Sequence, residues 1–103
     1  MTEQDIMNSI RIKLSEMGFT VFRANVGKFK LADGRWFDVG LPAGFSDLFA
    51  VKDGRIYFIE VKKPGGKVRP EQVNFIKQMQ QKGCVAGIVF SIEEAINLVS
   101  TGT

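Results

Sequence analysis

The segment that most constrains the fold is a short run with apolar side chains on both of its alternating faces, Ile56-Tyr57-Phe58-Ile59-Glu60-Val61-Lys62. A strand that is apolar on both faces must be covered on both sides, which predicts the central strand of a sheet with helices above and below it. Glu60 and Lys62 interrupt this run on the face that also carries Ile56 and Phe58. Because a charge in such a strand needs a partner, the segment predicts both the core of the fold and the place of its chemistry.

The flanking segments predict an α/β fold with a mixed central β-sheet flanked by helices, in one domain spanning residues 1–103. Helical periodicity and helix start signals predict helices over 2–17, 70–82 and 93–99. Apolar runs predict strands over 19–26, 47–52, 55–63 and 85–90, and a hairpin over 28–39. The strand–helix–strand order at the end favours a right-handed crossover, so the sheet would combine parallel and antiparallel pairs.

Two Asp-Gly dipeptides are typical of two-residue hairpin loops with type I′ turns. At Asp33-Gly34, a two-residue loop would place Leu31 opposite Trp36. At Asp53-Gly54, the same geometry continues backwards along both strands and places Asp47 opposite Glu60 on one face. A bulge in that turn would instead send Asp47 to the other face of the sheet.

Asp47 and Glu60, paired in this way, would form a carboxylate site. Two carboxylates about 4 Å apart repel by roughly 4 kcal/mol at an effective dielectric constant near 20. A shared proton, a nearby lysine or a bound divalent cation would relieve that repulsion, and hard oxygen ligands suit Mg²⁺ or Mn²⁺. The alternative is an ordinary ion pair of Glu60 with Lys62 or Lys63 at the end of the strand.

The composition excludes several other classes of site. The chain has no histidine and one cysteine, so His-based triads, His–Cys zinc sites and disulfide frameworks are excluded. Cys84 opens an apolar stretch, and we expect it to be a buried small hydrophobe. The N-terminus lacks a secretory pattern and no apolar run is long enough to span a membrane, so we expect a cytoplasmic protein.

Positive charge is concentrated in residues 52–82, which hold eight basic and three acidic side chains, a net of +5 in a chain of +3. Residues 62–69 contain four basic side chains and no acidic one. Such a local excess favours a polyanion such as nucleic acid, although a solvated basic face is the alternative.

Two further polar residues lie in phase with apolar helical faces. Glu3 continues the stripe of Met7 and Ile10, so it would bring a third carboxylate to the site, or else act only as a favourable first-turn acid. Gln72 is in phase with Ile76 at the start of the second helix, where it could position a water or simply face solvent.

Other polar side chains are candidate contacts to nucleic acid. Arg23 and Asn25 precede Gly27 on a strand and would contact phosphate, or else face solvent. Lys67 and Arg69 follow the central strand and are expected to contact phosphate rather than to act in catalysis.

Four motifs in this order resemble the VRR-NUC domain, a branch of the PD-(D/E)xK nuclease superfamily. They are Arg23-Ala24-Asn25-Val26-Gly27, Gly44-Phe45-Ser46-Asp47, Ile59-Glu60-Val61-Lys62-Lys63-Pro64-Gly65-Gly66 and Pro70-Glu71-Gln72. The resemblance runs from Glu3 to about Val99. It departs from the superfamily pattern where Ser46, not proline, precedes the aspartate.

The resemblance implies a PD-(D/E)xK-type fold that uses Mg²⁺ or Mn²⁺ and no small-molecule cofactor. Asp47 and Glu60, with the Val61 carbonyl and the Glu3 carboxylate, would hold the metal. Lys62 would be the catalytic lysine. Gln72 would match the glutamine that follows the lysine strand.

The substrate follows from the same resemblance. Minimal members of this type resemble phage or bacterial homodimers that cut four-way (Holliday) junctions, so branched DNA is the expected partner. Lys63, Lys67 and Arg69 would hold the DNA backbone. The alternatives are a flap or nicked-duplex nuclease subunit of a larger complex, and a non-catalytic nucleic-acid-binding module.

Overall fold

The computed structural model describes residues 1–24, 28–38 and 40–101, and their elements form one α/β domain. The helices are α1 (Glu3–Glu16), α2 (Pro70–Gln81) and α3 (Ile92–Thr101). The strands are β1 (Thr20–Arg23), β2 (Lys28–Lys30), β3 (Trp36–Asp38), β4 (Leu48–Lys52), β5 (Arg55–Val61) and β6 (Val85–Val89). Asn25 and Val39, which the sequence places in the strand and the hairpin, lie outside the described residues.

The main sheet has the strand order β1-β4-β5-β6. β4 runs antiparallel to β1 and β5, whereas β6 runs parallel to β5. The predicted mixed sheet is therefore confirmed, with β5 as an inner strand. The parallel pair is joined through α2, which supplies the crossover that such a pair requires.

Two apolar cores cover the two faces of β5. Tyr57, Ile59 and Val61 pack with α1 and α3, and Phe58 packs with Ile76 of α2. Cys84 joins the α2-side core as a partly buried apolar contact. Glu60 alternates with Ile59 and so lies on the α2 side of the sheet, on the same face as Phe58, as the sequence predicts for these two residues.

Local sequence signals set the N-termini of the two longer helices, α1 and α2. The Thr2 hydroxyl accepts the Asp5 backbone N–H at 3.1 Å, and the Asp5 carboxylate accepts the Thr2 N–H at 2.9 Å, which forms a capping box. Pro70 occupies the first turn of α2, where its missing N–H costs nothing.

The β4–β5 turn has the predicted two-residue geometry. Asp53 and Gly54 have φ of 53° and 76°, as a type I′ turn requires at both central positions. Lys52 pairs with Arg55 and Leu48 pairs with Ile59, so the predicted register is confirmed along the whole ladder.

The predicted register of the β2–β3 hairpin is wrong by one residue. Trp36 pairs with Lys30, not with Leu31. Leu31 instead bonds to Arg35, which leaves a three-residue loop of Ala32, Asp33 and Gly34. Gly34 has φ of 91° whereas Asp33 has no positive φ, so the loop is a type I turn closed by a left-handed glycine. Within the described ranges, no helix has the length and apolarity that a bilayer span requires.

Candidate active site

The register of β4 and β5 brings Asp47 and Glu60 together just beyond the last ladder pair. The Asp47 backbone N–H donates to Glu60 Oε1 at 3.2 Å. In return, Asp47 Oδ2 accepts the Val61 backbone N–H at 2.9 Å. The Glu60 carboxyl is therefore tied to the backbone of Asp47, and the Asp47 carboxyl to the backbone of Val61, which holds both at the end of the hairpin.

Glu60 is buried, with 2% of its surface exposed, and has three polar partners. Besides the Asp47 N–H, its Oε2 accepts Gln72 Nε2 at 2.9 Å and lies 3.5 Å from Lys62 Nζ. Burial, together with the neighbouring Asp47 carboxylate, raises the pKa of Glu60 to about 8, while the Lys62 ammonium acts in the opposite direction. The folded site therefore favours a protonated Glu60 beside Asp47 near neutral pH.

Lys62 is also buried and follows β5 directly, with its backbone N–H on the Val89 carbonyl at 2.9 Å. Lys62 and Glu60 form the ion pair that the sequence offers as the alternative to a carboxylate site. The Asp47–Glu60 pairing is present as well, so the ion pair belongs to a larger polar cluster.

Gln72 does not face solvent. It is 4% exposed in the first turn of α2, where Oε1 accepts the Arg69 backbone N–H at 3.0 Å and Nε2 donates to Glu60. This side chain therefore joins the start of α2 to the carboxylate on β5. We call Asp47, Glu60, Lys62 and Gln72 the polar cluster.

The backbone around Asp47 is held on several sides. Its carbonyl accepts the Ala24 N–H at 2.8 Å, so β1 ends against the polar cluster. Ser46 is fully buried, and its hydroxyl donates to the Leu48 carbonyl at 2.8 Å. Ser46 thus stiffens the turn directly before the aspartate.

Gly44 lets the loop before Asp47 approach α2 closely. It has φ of 92°, and a Cβ at this position would lie 2.3 Å from the Glu71 carbonyl oxygen. In the sequence, Gly44 and Ser46 are noted only as members of the motif that ends at Asp47. Their roles depend on this long-range approach, and the one sequence signal for them is their position directly before Asp47.

The oxygen donors of the polar cluster suit a hard divalent cation. Asp47 and Glu60 supply carboxylates, and the Val61 carbonyl follows Glu60 on the strand. Mg²⁺ is commonly held by one or two carboxylates with several waters, so this donor set is sufficient for it. No group of three acidic, His or Cys side chains suited to a metal meets within the described residues, so the role of Glu3, half-buried at the start of α1, stays a prediction.

The other predicted nucleic-acid contacts lie on the surface near the same end of the sheet. Arg23 is exposed at the end of β1, and Lys63, Lys67 and Arg69 are exposed in the connection from β5 to α2. Arg69 Nε lies 3.6 Å from Glu71 Oε1. The predicted contact at Asn25 falls outside the described residues.

Comparisons with known proteins place the chain in a family. The sequence model of the VRR-NUC domain matches residues 2–91. A solved structure described as a VRR_NUC domain has a similar fold, with a TM-score of 0.68 and 20% identity over 97% of each chain. A search of curated proteins gave no match. The match across most of the chain shows that it belongs to the VRR-NUC domain family, a family of nucleases.

Proposed function

We propose that the protein is a Mg²⁺- or Mn²⁺-dependent, structure-selective DNA endonuclease that cuts four-way junctions as a homodimer. The observation that carries the chemistry is the meeting of Asp47, Glu60 and Lys62 at one end of the β4–β5 hairpin. The choice of a four-way junction follows from the resemblance to minimal family members. A symmetric cut of a junction needs two sites, which is the reason for a two-fold dimer.

Asp47, Glu60 and the Val61 carbonyl would hold the cation. When bound, Mg²⁺ or Mn²⁺ supplies Lewis acidity and positive charge next to the scissile phosphate. A cation would also balance the two carboxylates, because Glu60 would then lose its proton without leaving an uncompensated charge pair.

Lys62 lies beside this pair, and its ammonium would stabilise the charge that develops on the phosphate oxygens or orient the attacking water. Hydrolysis joins a water oxygen to phosphorus and releases the sugar oxygen as an alcohol. Because the chain has no histidine, the water proton must pass to solvent, a phosphate oxygen or a carboxylate. Gln72 acts through Glu60 as a positioning residue, since its amide contacts that carboxylate.

The first test is cleavage of a labelled four-way junction in Mg²⁺ and in Mn²⁺, with EDTA and a linear duplex of the same sequence as controls. We expect paired cuts across the junction, lost in EDTA. Lys62→Ala should cut at least about 100-fold more slowly, because a positioned charge in a transition state contributes on this scale. Lys13→Ala, an exposed change on α1, is the matched control and should cut normally.

Each part of the proposal has its own contrary result. Metal-dependent cutting of flaps or nicked duplex, and not of junctions, would leave the chemistry and contradict the substrate. Junction binding without any cutting would favour the binding-module alternative. A monomer in size-exclusion chromatography with light scattering, at the concentration used for cleavage, would contradict the homodimer.

A further inference from the structure

The β2–β3 hairpin is the part of the described chain with the least burial. Every residue of both strands is exposed. Three of these residues are large aromatics: Trp36 is 67% exposed, Phe29 53% and Phe37 48%. Aromatic side chains this exposed, gathered on one hairpin, indicate a surface that contacts a partner.

The two faces of this hairpin differ in chemistry. Phe29 and Phe37 are directly opposed on one face, with ring centroids 5.3 Å apart, and so stabilise the hairpin by a cross-strand pair. On the other face Trp36 is opposed to Lys30, and Lys28 lies one pleat further along. We call Lys28, Lys30 and Trp36 the tryptophan face.

The tryptophan face has an excess of positive charge near an open indole. In the part of the chain that the structure describes, neither Lys28 nor Lys30 forms an ion pair, while the nearby Arg35 is paired with Asp33 at 2.7 Å. Asp38, opposite Lys28, accepts the Gly40 N–H at 2.8 Å. Two ammonium groups that form no ion pair among the described residues, beside an exposed indole, match a phosphate backbone that carries an exposed base.

The start of the hairpin lies close to the polar cluster along the chain. Ala24, whose N–H bonds to the Asp47 carbonyl at 2.8 Å, is only four residues before Lys28. Chain geometry therefore keeps the Cα of Lys28 within about 14 Å of the Cα of Ala24. At the other end, Asp47 follows Asp38 by nine positions along the chain, through Gly44 and Ser46.

We propose that the tryptophan face binds an unpaired or unstacked base of the DNA next to the scissile phosphate, with Trp36 stacking on the base and Lys28 and Lys30 on flanking phosphates. This inference rests on the proposed function and names the part of the DNA that the hairpin contacts. Bases inside a regular duplex are already stacked on each other, so an indole finds a free base face at branch points, gaps and single strands. A second copy of the chain is the less suitable occupant, since this face carries the same positive charge on both copies.

Trp36 is the only tryptophan of the chain, so its fluorescence reports directly on this face. The test titrates the protein in EDTA, where no cleavage occurs, with a fluorescein-labelled duplex and with the same duplex carrying a central unpaired bubble. Label anisotropy measures binding, and tryptophan emission from unlabelled copies of the same DNA measures stacking. We expect the bubble to quench Trp36 and to bind more tightly than the duplex.

Variants separate stacking from charge. Trp36→Ala should weaken bubble binding about tenfold and duplex binding less than twofold, as expected for the loss of one stacked base. Ile12→Ala, which removes a side chain of similar exposure (63%) from α1, should change neither. Lys30→Ala should weaken the binding of both DNAs and lower the slope of log affinity against log salt by about one.

Three results would overturn the inference. Tryptophan emission that does not change while anisotropy shows saturated binding would mean that DNA binds elsewhere. A blue shift that follows protein concentration without DNA, and no further change with DNA, would make the hairpin an interface between copies. No binding to any DNA would contradict the proposed function and this inference with it, whereas DNA-dependent quenching without metal-dependent cleavage would contradict the nuclease alone.

Discussion

The two hairpins of this protein share their local sequence signals and differ in almost everything that follows from them. Each has an Asp-Gly turn, and each has two directly opposed phenylalanines, Phe49 with Phe58 and Phe29 with Phe37. The β4–β5 hairpin lies inside the main sheet and carries the polar cluster. The β2–β3 hairpin forms a separate two-stranded sheet that is exposed throughout.

The difference shows that burial, more than the turn dipeptide, selects the register of a hairpin. A one-residue slip in β4–β5 would turn Phe58 and Glu60 away from α2. It would also turn the core residues on the other face of β5 away from α1 and α3. In β2–β3, both faces are exposed, so the turn alone determines the register. There the Gly34 N–H bonds to the Leu31 carbonyl at 3.0 Å and a three-residue loop results.

The largest contrast is expected from truncating one phenylalanine in each hairpin. Phe58 is 7% exposed and packs edge-on against Phe45 and Phe75, so Phe58→Ala should lower the free energy of unfolding by about 3–4 kcal/mol. Phe37→Ala, at 48% exposure, should lower it by less than about 1 kcal/mol. Urea denaturation of both variants measures this, and equal losses would show that the exposed hairpin is packed as firmly as the buried one.

The second contrast is a pH dependence that belongs to the buried hairpin alone. The pKa of Glu60 is raised from 4.5 to about 8, so the folded state favours the protonated acid. Its contribution to stability is therefore full below pH 4.5 and is lost as the pH rises through about 8. In EDTA, we expect the melting temperature of the protein to fall by several degrees between pH 6 and pH 9.

Glu60→Gln should flatten that fall, because glutamine resembles the protonated acid and does not titrate. The chain has no histidine, so few other groups titrate in this interval. Glu16→Gln, on the exposed side of α1, is the matched control and should keep the fall. A Glu60→Gln protein with the same pH dependence as the unaltered one would show that Glu60 is not its source.

The third prediction concerns the loop that joins the two hairpins. Gly40 and Gly44 both have φ near 90°, but only Gly44 has backbone where a Cβ would stand. Gly40→Ala should therefore cost about 1 kcal/mol of stability for the left-handed conformation alone. Gly44→Ala should cost about 2–3 kcal/mol, and should also slow cleavage, since Glu71 must move and Gln72 moves with it.

Thermal denaturation and junction cleavage of the two glycine variants separate two effects. One is the backbone strain that both positions share, and the other is the close approach of Gly44 to α2. The cleavage readout matters because a loss of stability alone would not slow the folded enzyme. Equal stability and equal cleavage for both variants would mean that the contact of Gly44 with α2 does not hold the polar cluster in place.

The comparison also explains how far the sequence alone could predict this protein. The Asp47–Glu60 pairing could be predicted, because the turn signal and the two-sided burial of β5 agree on one register. The Leu31–Trp36 pairing could not, since an exposed hairpin has no buried face that excludes a different loop length. Likewise, periodicity places Gln72 on the inner side of α2, but its bond to Glu60 depends on how α2 packs against β5, which no local pattern records.

The smallest contrast lies in the turns themselves. Asp53 has φ of 53°, so Asp53→Ala should cost about 1 kcal/mol, and Asp53→Gly should restore most of that loss. Asp33 has no such strain, and its bonds to Arg35 are solvent-exposed, so Asp33→Ala should cost less than about 0.5 kcal/mol. Urea denaturation of the three variants measures these small differences against one baseline. If Asp53→Ala were no worse than Asp33→Ala, the left-handed turn would contribute nothing to the β4–β5 register, and burial of β5 alone would set the distance between Asp47 and Glu60.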